Sequence, residues 1–239
     1  PAAALLTLED RAFESSPEYR KVAASGSAAI TVRDLLHMAG GKNVFLFTGG
    51  PERMLTHDWA ELFFTDPQVV PAGSAFFYAN ACTYMLSRIV GKVAGQTLRD
   101  WLVPRLFTPL GIHNPQWHTC PRGHTIGATE LFLTNREYAR LGRLLLDGGC
   151  WEGQRLVSSA FVHAMSTDII DNAGRGHDAT EGSVGYGYQV WRCSHPGAYR
   201  ADGMYGQFSV VFPDRRAVVT VTAHEEKNAN DILRVIYRD

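Results

Sequence analysis

Tyr78 and Asn80 stand two apart at the start of a strongly periodic apolar stretch, residues 79–94. A phenol and an amide at one helix start can face the same cleft. The phenol can shuttle a proton if a nearby cation lowers its pKa from about 10, and the amide can orient a substrate carbonyl. Taken alone, the pair more often means a core tyrosine beside a helix-capping asparagine. A second group is Arg200-Ala201-Asp202-Gly203-Met204-Tyr205-Gly206-Gln207, where an alternating stretch runs into two glycines. Glycine lets a backbone approach a ligand closely, and an edge strand can offer an N–H to an oxyanion. The competing reading is a hairpin turn that needs positive φ. His113, His118, Cys120 and His124 are residue types that zinc uses. Their spacing matches no standard ligand set and two prolines interrupt it, so they read as loop residues and no metal or cofactor is expected.

The elements that must position these groups come from a chain of 239 residues with 45% apolar content, enough for one large domain or two small ones. A net charge of −1 gives no electrostatic reason to expect nucleic acid or an anionic membrane as partner. No apolar run approaches the ~20 residues of a membrane span. Cys82, Cys120, Cys150 and Cys193 form no C-x-x-C pair and read as scattered thiols, which favours a reducing, cytoplasmic compartment. Residues 1–6 lack the basic n-region and full apolar h-region of a signal peptide; a signal peptide further upstream would place the protein outside the cytoplasm.

Residues 1–30 are small, polar and aperiodic, and read as a linker or loop. Thr31 is placed to cap a short helix over 32–38, ended by Gly40-Gly41. A second helix is predicted over 58–64. In 79–94, Met85, Leu86, Ile89, Val90 and Val93 recur at helical steps, and Gly95 stops the pattern. A helix over 98–107 must accommodate Pro104 by kinking. Helices over 136–146, capped by Thr134, and over 157–165 follow. Beyond residue 184 the period becomes two: Tyr186, Tyr188, Val190; Phe208, Val210, Phe212; Val219, Val221. These read as antiparallel strands, followed by a helix over 229–237. The order predicts an α+β chain: a mainly helical domain over 31–180, then an antiparallel sheet with its terminal helix over 181–239. One short helix covers only one face of a sheet, so a bare face or edge is expected.

Several blocks together resemble the class C β-lactamase-like, penicillin-recognising serine hydrolases. Ile30-Thr31-Val32-Arg33-Asp34-Leu35-Leu36-His37-Met38 is similar to their ITVRDLLTH block, and Tyr78-Ala79-Asn80 to their Tyr-x-Asn motif. Gly95-Gln96-Thr97, Phe107-Thr108-Pro109-Leu110-Gly111-Ile112, the stretch 135–149 and Leu8-Glu9-Asp10 fit further blocks in the right order. The resemblance implies a β-lactamase/transpeptidase-like fold of helical cluster plus antiparallel sheet, with the family's N-terminal strands absent from this chain. It implies an acyl-enzyme route on a small-molecule ester or amide. Tyr78 would move protons and Asn80 would hold substrate. Ala201, Asp202 and Gly203 would line the third motif, and the Met204 N–H would form half of an oxyanion hole. Two departures qualify this. No serine here has a lysine three residues on, so the family's Ser-x-x-Lys nucleophile motif is expected upstream, in a missing N-terminal segment that would be this chain's partner. The third motif's usual Lys or His is replaced by Ala201. A non-catalytic homologue that binds a ligand or partner is the alternative, since it too would lack Ser-x-x-Lys.

Overall fold

The computed structural model describes residues 6–14, 16–43, 50–176 and 180–238, without the side chains of residues 50, 51 and 53. Residues 1–5, where no signal peptide is expected, lie outside them. The chain forms two compact units: Pro1–Pro104 with Asn114–Phe132, and Arg105–His113 with Leu133–Asp239.

The first unit is helical, with α1 (Val32–Leu36), α2 (Gly50–Thr56), α3 (Trp59–Thr65), α4 (Asn80–Ala94) and α5 (Leu98–Leu102). Thr31 caps α1 through a capping box with Asp34, as its position predicts. Asp58 caps α3 and Thr97 caps α5. Pro104 ends regular helix: α5 stops at Leu102 and the backbone widens into a π turn over Val103–Phe107, because proline has no N–H for the ladder. Helix α4 packs against α1, α3 and α5. Its buried stripe runs through Ala81, Tyr84, Met85 and Ile89, while Leu86, Val90 and Val93 are only partly covered. The stripe is thus turned toward Tyr84, whose ring meets Trp59 at 5.2 Å. A two-stranded ribbon, β1 (Gln116–Trp117) with β2 (Leu131–Phe132), completes the unit. Sequence periodicity did not show it, because two residues carry no period. Gly127 lies where a Cβ would meet the Ser87 Cβ at 2.7 Å, and its φ of 76° is costly for other residues.

Residues 6–30 have two 3₁₀ turns, Pro17–Tyr19 and Ser27–Ala29, and bury Ala12, Phe13, Tyr19 and Ile30. Phe13 and Tyr19 stack on Phe64 at 4.4 and 5.6 Å.

The second unit contains α6 (Asn135–Leu146), the ribbon β3 (Cys150–Trp151) with β4 (Gln154–Arg155), and α7 (Ser159–Thr167). An antiparallel sheet follows in the order β5 (Trp191–Arg192), β6 (Tyr199–Gly203), β7 (Gln207–Phe212) and β8 (Ala217–Val221). Helix α8 (Asn230–Ile236) closes the chain. Period two divides the faces. Phe208, Val210 and Phe212 pack with Leu233 of α8, while Val211 and Tyr199 pack with Leu145 and Leu146 of α6. The expectation of a bare face is therefore corrected: α6 covers the face that α8 leaves. It comes close because Gly142 has no side chain; a Cβ there would meet the Ser209 Oγ at 2.4 Å. β8 is an edge strand, with β7 as its one strand neighbour among the described residues. The alternation at Tyr186, Tyr188 and Val190 is not a strand. Gln189 takes a φ of 61° and Gly187 N–H donates to the Val190 carbonyl, so the chain turns there.

Lys42 is 2% exposed. Its ammonium donates to Ser27 Oγ at 3.0 Å and to the Asp66 carbonyl, 5.3 Å from the Phe63 ring centre. Burial lowers its pKa from 10.5 to about 8, against the pull of Asp66 and Cys82. Because the folded pKa is the lower one, the unfolded chain binds more protons between pH 8 and 10.5, and this residue's contribution to stability rises with pH there. Burial raises the Cys82 thiol from 9.0 to about 12, which acts in the opposite sense above pH 9. The Lys42 effect is therefore isolated by difference. We expect the stability of wild type relative to Lys42→Met to increase from pH 8 to 10.5 in urea titrations; a pH-independent difference would contradict it.

Candidate active site

Tyr78 ends an extended segment tied to the stretch before it: Gly73 N–H donates to the Ala39 carbonyl at 2.8 Å and Phe77 N–H to the Met38 carbonyl at 2.9 Å. Phe76 is fully buried, which anchors the segment and leaves Tyr78 half-buried at its end. Asn80 is the first residue of α4, not its cap. The cap position belongs to Ala79, which has no capping side chain. Asn80 is 8% exposed as a residue; its side chain has no hydrogen-bond partner among the described residues, and its amide atoms still reach solvent. An amide that reaches solvent takes its hydrogen bonds from water, or from a ligand that displaces the water. The capping alternative is therefore not the one realised, and the amide remains available to a ligand.

In the second unit, β6 and β7 form a hairpin in which Gly203 pairs with Gln207 and Met204, Tyr205 and Gly206 make the turn. A Cβ on Gly203 would meet the Gln207 Cβ at 2.9 Å. Met204 is 65% exposed. Ala201 and Asp202 lie on opposite faces of β6. The Ala201 carbonyl accepts from the Tyr138 hydroxyl of α6 at 3.4 Å, and burial, then Asp202, raise that phenol's pKa.

Asp202 faces inward with Arg200, as residues two apart on a strand do. Arg200 is 1% exposed. Its Nε donates to Asp202 Oδ2 at 2.8 Å, Nη1 to the Arg192 carbonyl at 3.1 Å and Nη2 to the Glu181 carbonyl at 3.2 Å. The Glu181 carboxylate lies 3.6 Å from Nη1 and also accepts from Ser194 and, at 3.1 Å, from the Tyr237 hydroxyl. Burial works against the guanidinium charge, but Asp202 and the other partners more than offset it and raise the pKa. Arg200 is thus committed to the protein interior and offers no cation at the surface in place of the one Ala201 lacks. Glu181 and Tyr237 are parts of this network that the sequence did not disclose. They are distant in the chain and only folding joins them.

Among the described residues no three metal-ligating side chains converge. His118 pairs with Glu130, and Cys120 accepts from the Tyr84 hydroxyl at 3.5 Å.

These features, a Tyr-x-Asn segment opening a helix and a glycine-ended strand in an α-covered antiparallel sheet, accord with one family of serine hydrolases. The beta-lactamase family matches residues 3–238, and the chain belongs to it. Solved structures share the fold. A Bacillus anthracis protein provisionally assigned as a 6-aminohexanoate-dimer hydrolase is 21% identical, with TM-score 0.76 over 97% of this chain and 64% of its own. The hydrolase EstCE1, which has promiscuous acyltransferase activity, is 17% identical, with TM-score 0.75 over 95% of this chain and 75% of its own. A penicillin-binding protein homologue from Caulobacter crescentus is 18% identical, with TM-score 0.71 over 93% of this chain and 72% of its own. The chain thus spans less than two thirds of the first of these. No curated protein sequence matches it.

Removing Arg200 would leave Glu181 and Asp202 inside without their cation. We expect Arg200→Met to lose about 3–5 kcal/mol of stability, measured from urea midpoints. Arg200→Lys should recover only part, since a single ammonium cannot reproduce the planar fork. A loss below about 1 kcal/mol for Arg200→Met would show that the carboxylates escape to solvent.

Proposed function

We propose that this chain is part of a serine hydrolase that cleaves an ester or amide through an acyl-enzyme. The observation that carries the reading is the Asn80 amide, which bonds to no described side chain or backbone group and stays open to solvent, two residues after half-buried Tyr78 in a chain of this family. In the proposed mechanism a serine outside residues 1–239 attacks the carbonyl, and its proton passes by way of a lysine and Tyr78 to the leaving group. The Asn80 amide holds the substrate. The Met204 N–H stabilises the developing oxyanion, with Ala201, Asp202 and Gly203 lining the approach. Residues 1–239 alone should be inactive. The domain division at about residue 180 belongs to the same proposal. A non-catalytic binding protein is the second reading, favoured by the lack of Ser-x-x-Lys in these residues; the complete coding sequence discriminates the two.

Tyr78→Phe in the full-length protein tests the mechanism. We expect kcat for ester hydrolysis to fall by roughly 100- to 10,000-fold, with KM little changed and the thermal midpoint retained. A lowered midpoint with near-normal turnover would instead mark Tyr78 as structural, worth about 1 kcal/mol.

Substrate class is proposed from charge. Penicillins and cephalosporins carry a carboxylate, Ala201 offers it no cation, and Arg200 is occupied by Asp202 and Glu181. The full-length protein should hydrolyse short p-nitrophenyl esters better than cephalosporins, compared by kcat/KM. Efficient cephalosporin turnover with little esterase activity would refute this.

A further inference from the structure

The β6–β7 turn holds a strained aromatic residue that the fold does not use. Tyr205 has a φ of 66°, in the left-handed region where a bulky residue is an outlier. Glycine or asparagine would take this backbone with less strain. The conformation is held from outside the turn by the Glu225 N–H, which donates to the Tyr205 carbonyl at 3.0 Å, and within it by the Gly206 N–H, which donates to the Gly203 carbonyl at 3.3 Å. Yet the ring is not buried in return, since Tyr205 is 42% exposed. It lies against the His224 imidazole, ring centres 4.7 Å apart and planes 34° apart, and His224 is itself held by Glu226 at 3.0 Å. Beside it Met204 presents a flexible, polarizable thioether at 65% exposure. A strained residue that gains no core contact points to a surface role.

We infer that Met204 and Tyr205, backed by His224, form the subsite that receives an aryl group of a neutral ester or amide. This rests on the proposed oxyanion role of the Met204 N–H, which would set the reacting carbonyl one residue from the Tyr205 ring. The flat ring suits stacking, and the thioether suits contact with an aromatic edge. The adjoining charges select against anions. Glu225 accepts from the Lys227 and Asn228 N–H groups at 2.8 and 3.2 Å, and these bonds lower its pKa, keeping it ionised. Glu226 follows it, so a substrate carboxylate placed here would be repelled.

The test compares ethyl acetate with ethyl phenylacetate and benzyl acetate, which carry the aryl group on the acyl and alcohol sides respectively, using the full-length protein. Wild type should favour at least one aryl ester by kcat/KM. Tyr205→Ala should lower that aryl-to-alkyl ratio by about 3- to 10-fold, the range of an aromatic contact. Tyr205→Phe, which retains the ring, should preserve it. Hydrolysis with a ratio unchanged in Tyr205→Ala, or lowered equally in Tyr205→Phe, overturns the subsite alone. Hydrolysis of none of the three esters by wild type overturns the subsite together with the hydrolase reading.

Discussion

A guanidinium enclosed in protein must have its charge and its donors answered on the spot, because the desolvation of an unpaired ion is several kcal/mol. Arg200 meets that demand with Asp202 two residues along its own strand, with Glu181 from the preceding loop, and with the Arg192 carbonyl of the neighbouring strand. Satisfying Arg200 therefore fixes β6 against β5 and holds the residue-181 loop beneath both. Glu181 extends the constraint to Ser194 and, through Tyr237, to the end of α8. The strand that carries Gly203 and Met204 is held by charge on one face and by the Tyr138 hydroxyl and α6 on the other. An N–H that must meet a developing oxyanion benefits from such a rigid mounting, since preorganised donors need no rearrangement as charge appears.

The first unit shows the opposite treatment of a buried polar group. Lys42 is enclosed and answered by Ser27 and the Asp66 carbonyl, and Asp58 by Tyr19 and Arg122. Asn80, by contrast, keeps its amide open to solvent with no partner among the described residues. A polar side chain left available beside answered ones is a departure typical of binding positions. Tyr205 is the same departure in backbone terms. The Glu225 N–H holds its left-handed conformation, and the Glu225 carboxylate is itself held by the Lys227 and Asn228 N–H groups.

Several features could be read directly from local residues. Helix caps at Thr31 and Thr134 were legible because a capping side chain acts within three residues of itself, whereas Asp58, read as part of its helix, is the cap of α3. The β7 alternation was legible because each of its faces meets an apolar layer. Where a signal was local but ambiguous, it misled. The alternation of Tyr186, Tyr188 and Val190 has a strand's period, yet Gln189 reverses the backbone there, and all three residues are buried through a turn.

The sequence by itself determined the family resemblance, the α+β order, and the residues proposed for chemistry: Tyr78, Asn80, Ala201, Asp202, Gly203 and Met204. These depend on motif order and on periods of 3.6 and 2, which are short-range properties. Tertiary structure alone decided that Asn80 is the first residue of α4 with an unpartnered, solvent-reaching amide rather than its cap, and that α6 covers the second face of the sheet. It also decided that Arg200 turns inward to Glu181 and Asp202. Each of these depends on which distant side chain fills a given volume. Glu181 and Tyr237 lie 19 and 37 residues from Arg200 along the chain, and no local pattern encodes that packing brings Glu181 within 4 Å of Arg200 and Tyr237 onto Glu181.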